Sequence, residues 1–150
     1  YMATNGIEGL PIEELRATLT SFLGATYGML AALLLILARW MQAALYNPGG
    51  FRLEFHSLRI GSKTALLLVG FMLAANFGLL PPSWVIYSTV PLLFSGAALV
   101  HGVVGIKKLP SAVLAVFYAV MLLPVVMQGL VLLALMDSWY DFRSRLASKT

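Results

Sequence analysis

Few side chains that could take part in acid–base or ligand chemistry lie within the long apolar stretches of this chain. They include Tyr27 and the four candidate site residues Asn76, His101, Tyr118 and Gln128, whereas every Asp, Glu, Lys and Arg falls outside residues 17–38, 64–106 and 109–136. An amide, phenol or imidazole in hydrocarbon needs a hydrogen-bond partner, because burying it unpaired is costly. The four residues therefore predict either hydrogen bonds between helices or a small-ligand site. His101 is the best candidate for a ligand site, since it is the one imidazole within these stretches.

A second group is a stripe of basic side chains in the segment 47–63. Its members recur at helical spacing and are Arg52, His56, Arg59 and Lys63. Phe51, Phe55 and Leu58 recur on another face of the same segment. This pattern predicts a short interfacial amphipathic helix that contacts anionic lipid or a protein partner. The alternative is an ordinary loop whose basic residues only set membrane topology.

Enzyme chemistry is poorly represented. The chain has no Cys, and its six acids and two His form no metal-ligand spacing, phosphate-binding loop or nucleophile motif. We therefore expect no enzyme activity, no metal and no cofactor. The net charge of +4 could suggest nucleic acid, but the ten Lys and Arg are divided among segments that flank apolar stretches. Membrane orientation explains them more simply, so the expected partners are the lipid bilayer and other membrane subunits, and not nucleic acid.

The elements that must position these residues are transmembrane helices. The chain is 60% hydrophobic and only 11% charged, against about 25% charged residues in soluble domains. We predict an all-α polytopic bundle forming a single transmembrane domain within a longer chain, with about four spans. These are residues 17–38, 64–80, 84–106 and 111–136.

Prolines divide the apolar stretches. Pro81 and Pro82 predict a turn between the second and third spans, because each ring removes a backbone donor and disfavours helix in the preceding residue. Pro91 and Pro124 fall inside spans, where each predicts a kink. A first helix over residues 11–46 would be about 54 Å long, well over the ~30 Å hydrocarbon thickness.

The Lys and Arg residues also predict an orientation. The segment 39–63 holds four and Lys107-Lys108 adds two, so both loops are expected on the cytoplasmic side of the membrane. Four alternating crossings would then place Arg143 and Arg145 in the tail outside.

Several segments resemble the YybS-like bacterial membrane protein family, and in particular its proteobacterial branch. They are RWMQAALYNPGGFR at 39–52, EFHSLR at 54–59, PLLF at 91–94, LVHG at 99–102 and ALMDSWYDFR at 134–143. Family members are longer, so the resemblance implies a carboxyl-terminal half. The family has no settled activity, but it is grouped with proteins similar to the substrate-binding S components of energy-coupling-factor vitamin transporters, whose carboxyl terminus is thought to be cytoplasmic.

The resemblance implies a bundle that binds a small molecule. Our first hypothesis is a transporter subunit that binds a small hydrophobic or vitamin-like molecule, and the polar residues His101, Tyr118 and Gln128 of the last two helices are its candidate contacts. A membrane scaffold that docks a protein partner or anionic lipid is the alternative. A cavity walled by the polar residues of the spans would favour the first function. A filled bundle with an exposed flat apolar or basic face would favour the second.

Overall fold

The computed structural model describes residues 12–148, apart from the side chain of Glu14, and within this range the chain is all-helical. The predicted all-α class is confirmed. The helices are α1 Ile12–Tyr46, α2 Gly50–Ser57, α3 Ser62–Asn76, α4 Ser83–Ile106, α5 Ala112–Met121, α6 Pro124–Tyr140 and α7 Phe142–Ala147.

Helix α1 is continuous for 35 residues, which corresponds to about 52 Å. The long helix predicted from residue 11 is therefore present from residue 12, and Pro11 lies outside the described residues. The helix is followed by a turn in which Gly49 has a φ of 89°, a left-handed conformation that glycine adopts without steric cost. Most large apolar side chains of α1 are exposed, and the helix contacts only α2 and α4 substantially.

Helix α4 is the centre of the bundle and contacts each of the other six described helices. Its closest neighbour is α6. A Cβ atom added at Gly96 would lie 2.6 Å from Cγ of Leu130 and 2.8 Å from the carbonyl oxygen of that residue. The absence of a side chain at Gly96 thus lets the two helices approach closely. The hydrophobic core at this contact is formed by Leu92 and Leu93 of α4 and by Leu130, Val131 and Ala134 of α6.

The two interior prolines behave differently. Helix α4 continues through Pro91. Pro124 instead begins α6, and the preceding Leu123 is extended with a φ of −78° and a ψ of 128°. A proline ring disfavours the helical conformation in the residue before it. The segment 111–136, predicted as one span, is therefore two helices that meet at an angle of 112°.

Contacts with α4 show that the chain reverses at this break. Tyr118 on α5 is bonded to His101, Leu130 on α6 lies beside Gly96, and Arg143 lies beside Gly102. Helix α5 therefore runs against the direction of α4, and α6 runs back along it. The two form a hairpin whose ends both lie at the carboxyl end of α4.

This hairpin overturns the predicted position of the tail. Arg143 donates a hydrogen bond to the carbonyl oxygen of His56, at 2.6 Å, so the tail and the segment 47–63 lie at the same end of the bundle. The expectation of opposite sides assumed one straight helix over residues 111–136, whereas the chain bends by 112° between α5 and α6.

Two described helical stretches, Leu15–Tyr46 and Ser83–Ile106, are long and apolar enough to cross a membrane, and there are up to four if each bent pair is counted as one span. The bent pairs are α2 with α3, at 57°, and α5 with α6. A turn over residues 77–82 separates α3 from α4, at the position that the proline pair predicted.

Candidate functional site: a basic cleft at one end of the bundle

A cleft of about 730 Å³ opens between α2, α4 and α7. We call it the basic cleft, because Arg52, His56, Arg59 and Arg143 line it. Ile106 and Leu53 provide apolar wall. Three of its four basic groups belong to the stripe predicted from the sequence, whereas Arg143 comes from the tail.

Arg143, in the wall of the basic cleft, belongs to a buried ion pair. Asp137 is fully buried and Arg143 is only 9% exposed. One guanidinium nitrogen of Arg143 lies 2.7 Å from Oδ2 of Asp137. The backbone N–H of Phe142 donates to Oδ1 of the same carboxylate, at 2.8 Å. The pair therefore joins the end of α6 to the start of α7.

Sequence reasoning missed this pair. The last span was ended at residue 136, directly before Asp137, so the spans were expected to hold no ionised residue. The helix continues to Tyr140 and buries the carboxylate. The sequence signal for this pair is an Asp and an Arg six residues apart on either side of a helix end. A hydropathy profile shows these two charges only as the end of an apolar span.

Two glycines on α4 allow the cleft to form. A Cβ atom at Gly102 would lie 3.0 Å from Cδ of Arg143 and 3.1 Å from the carbonyl oxygen of His56. A Cβ atom at Gly105 would lie 2.8 Å from Cε1 of the His56 ring. Helices α2 and α7 thus rest directly on the backbone of α4, which places their basic side chains around its last turns.

Charge is only partly balanced at the rim. Arg59 forms an ion pair with Asp141, with Nη1 and Oδ2 2.8 Å apart. Asp141 has a left-handed φ of 45° and accepts a hydrogen bond from the backbone N–H of Ser144. Arg52 has no carboxylate within ion-pair distance among residues 12–148. The basic cleft therefore holds three guanidinium groups against two carboxylates.

The excess of positive charge affects the pKa of His56. Burial lowers the pKa of His56 below its ordinary value of 6.5, and the nearby Arg52, His101 and Arg143 lower this pKa further. An additional proton is thus disfavoured in the cleft. An anion would be favoured for the same electrostatic reason.

Helix α2, which carries Arg52 and His56, is held from two sides. Arg39 on α1 donates two hydrogen bonds to Glu54, one of them 2.7 Å from Nε to Oε2. These bonds lower the pKa of Glu54 below its ordinary value. On the other side Arg143 holds the carbonyl of His56. These contacts hold α2 against α1 and α7.

A neighbouring cleft of about 490 Å³ lies between α2, α4 and α5, and His101 and Lys108 form part of its wall. His101 also contacts Tyr118 on α5. Nε2 of His101 and the hydroxyl of Tyr118 are 2.9 Å apart. The His56 and His101 rings lie with their centroids 6.1 Å apart. Arg52 and His56 line both clefts, so this second cleft adjoins the basic cleft.

The remaining predicted residues lie elsewhere. Asn76 lines a separate cleft together with Pro82 and Val85 near the opposite end of α4. Gln128 is exposed on α6, and Lys63 is exposed in the first turn of α3. The structure does not bring Asn76 or Gln128 to the His101–Tyr118 pair. Within residues 12–148, no three His, Asp or Glu side chains are grouped as metal ligands would be.

Comparison with known proteins gives no relative for this chain: it matches no protein-family model, no curated protein and no solved structure. The resemblance to the YybS-like family stays a prediction.

Proposed function

We propose that the chain is a multi-pass membrane protein that binds an anionic small molecule in the basic cleft, as a binding subunit for a transported or sensed solute. Two to four apolar helices support membrane insertion. The surface of α1 also supports membrane insertion, since large apolar side chains such as Phe22, Leu35 and Trp40 are exposed there. In water such a surface would be an aggregation hazard, whereas lipid solvates it.

The hairpin of α5 and α6 supports one orientation. It brings Lys107, Lys108, Arg143 and Arg145 to the end of the bundle that carries Arg52. A concentration of Lys and Arg is typical of the cytoplasmic side of a bacterial inner membrane. We therefore assign the basic cleft to the cytoplasmic face. This orientation also agrees with the cytoplasmic carboxyl terminus that the S-component resemblance implies.

The observation that carries the proposal is an arginine without a carboxylate partner that shares its cleft with Arg143 of a buried ion pair. Arg52 is free to form a bidentate hydrogen bond with a phosphate or carboxylate. The buried Asp137–Arg143 pair holds the surrounding backbone in place, so little ordering is needed on binding. A volume of about 730 Å³ falls within the ~300–1,000 Å³ of small-molecule sites.

Native mass spectrometry on the protein extracted gently from its own membrane tests this proposal. We expect a bound anionic metabolite in the wild type and in the control Lys63→Gln, which removes an exposed charge outside the cleft. Arg52→Gln should lose the adduct. Equal occupancy in Arg52→Gln and the wild type, or no small-molecule adduct in the wild type, would refute the proposal.

A scaffold role is the second candidate, and the exposure of α1 favours it. Helix α1 makes substantial contacts only with α2 and α4, so much of its apolar surface is available to another transmembrane helix. The same spectrum distinguishes the two functions. A reproducible protein partner without a metabolite would support the scaffold.

A further inference from the structure

A second opening lies on the other side of α7. It is a groove of about 540 Å³ between α4, α5, α6 and α7, which we call the apolar groove. Val100, Val103, Val113, Leu133 and Phe142 are among its lining residues, and Arg145 is its one cation. The basic cleft is separate, because Arg143 and Ser144 face the cleft while Phe142 and Arg145 face the groove.

The groove exists because the hairpin is splayed. Helices α5 and α6 meet at 112°, so they diverge from their junction towards their outer ends. The valines of α4 are too short to fill the space between them. An opening with such walls binds hydrocarbon in preference to water, since water there would lack polar partners.

Charge and aromatic residues mark one end of the groove as a headgroup site. The Arg145 guanidinium lies 5.7 Å from the centroid of the Tyr140 ring, and it forms no ion pair with a described carboxylate. Lys107 and Lys108 directly precede Leu109, which lines the groove. Trp139 and Tyr140 are about half exposed, as is typical of aromatic side chains at the level of lipid headgroups.

We propose that the apolar groove holds an acyl chain of an anionic phospholipid whose phosphate contacts Arg145. The inference depends on the membrane insertion proposed above but not on the basic cleft. An acyl chain accounts for the apolar walls, and a phosphate accounts for the cation at their end. A soluble anion would use only Arg145 and would leave the walls uncovered.

The test uses the full chain in liposomes of phosphatidylglycerol and phosphatidylcholine, followed by mild detergent extraction and native mass spectrometry of the retained lipid. Flotation of the protein with the liposomes first confirms insertion. The wild type should retain one phosphatidylglycerol in preference to phosphatidylcholine. Arg145→Gln should reduce this preference about fivefold, the effect expected of one basic residue near the membrane surface. Arg16→Gln, at the start of α1, is the matched control.

A second variant tests the groove itself. Val113→Trp fills it from α5, at a position that is 37% exposed, so the bundle should still fold with an unchanged melting temperature. It should lose both lipids. Equal retention of the two lipids by the wild type, an unchanged preference in Arg145→Gln, unchanged retention in Val113→Trp, or displacement by inorganic phosphate alone would each overturn the proposal. Arg52→Gln should leave lipid retention intact, which separates failure of this site from failure of the basic cleft.

Discussion

Replacement of Asp137 by Ala is the perturbation with the largest expected effect on the basic cleft. The carboxylate is fully buried and accepts hydrogen bonds from both Arg143 and the backbone N–H of Phe142. Its removal leaves the guanidinium without a counter-charge and the N–H without an acceptor. The guanidinium would still donate to the carbonyl of His56, so its position would be retained while its charge is uncompensated.

The expected loss in the free energy of unfolding follows from the burial of the Asp137 carboxylate and the Arg143 guanidinium. Removal of one partner from a buried ion pair costs about 3–5 kcal/mol. Arg143 is 9% exposed and borders the basic cleft, so water can reach it, and we expect the lower end, about 3 kcal/mol. In Asp137→Ala/Arg143→Met no charge is stranded. The double variant should lose only about 2 kcal/mol, about 1 kcal/mol for each of the unsatisfied N–H and carbonyl groups.

The assay is the free energy of unfolding in mild detergent, measured by titration with sodium dodecyl sulfate and followed through tryptophan fluorescence. Wild type, both single variants and the double variant form a double-mutant cycle. The reasoning predicts that the double variant is more stable than Asp137→Ala. A loss of less than about 1 kcal/mol in the free energy of unfolding of Asp137→Ala, or a double variant whose loss equals the sum of the two single losses, would refute this expectation.

Three further predictions concern the same bundle. His56 has a pKa below its ordinary 6.5, so the unfolded chain binds the proton more readily, and stability should fall as the pH is lowered from about 7.5 to 5.5. Melting temperatures of the wild type and His56→Gln should converge at the lower pH if the effect belongs to this residue, and parallel curves would contradict it. Gly96→Ala should destabilise by about 1–3 kcal/mol, because the new Cβ meets Leu130, whereas a Cβ at Gly28 meets nothing within 4 Å, so Gly28→Ala should be neutral or stabilising in the same titration. Tyr118→Phe removes the hydrogen bond to His101 and should cost about 1 kcal/mol, and an unchanged unfolding curve would show that the bond is not formed.

The sequence predicted those parts of the fold that depend on local chemistry. The long first helix and the proline turn before α4 follow from composition and from the missing backbone donors of proline. Pro124 predicted a kink but not the reversal of the chain that occurs there. Hydropathy does not predict this reversal, because it is the same whether an apolar segment crosses the membrane or turns back.

The site residues that the sequence did not predict were missed for the same reason. A buried Asp137 is recognisable only when Arg143 is known to fold back across the helix end, and that contact requires the reversal at Pro124. Arg52 and His56 were identified as a basic stripe because their spacing is helical. Their position over Gly105 of α4 depends on packing that a single sequence does not encode locally.

The accessibility of single cysteines in sealed membrane vesicles tests most directly whether the hairpin of α5 and α6 is re-entrant, and the chain is well suited to this measurement because it contains no Cys. Ser111→Cys and Ser148→Cys flank the hairpin, and Leu79→Cys lies in the turn before α4. We predict that an impermeant thiol reagent labels residues 111 and 148 from the same side and residue 79 from the other. Labelling of residue 148 from the side of residue 79 would show that residues 111–136 cross the membrane, and would contradict the account.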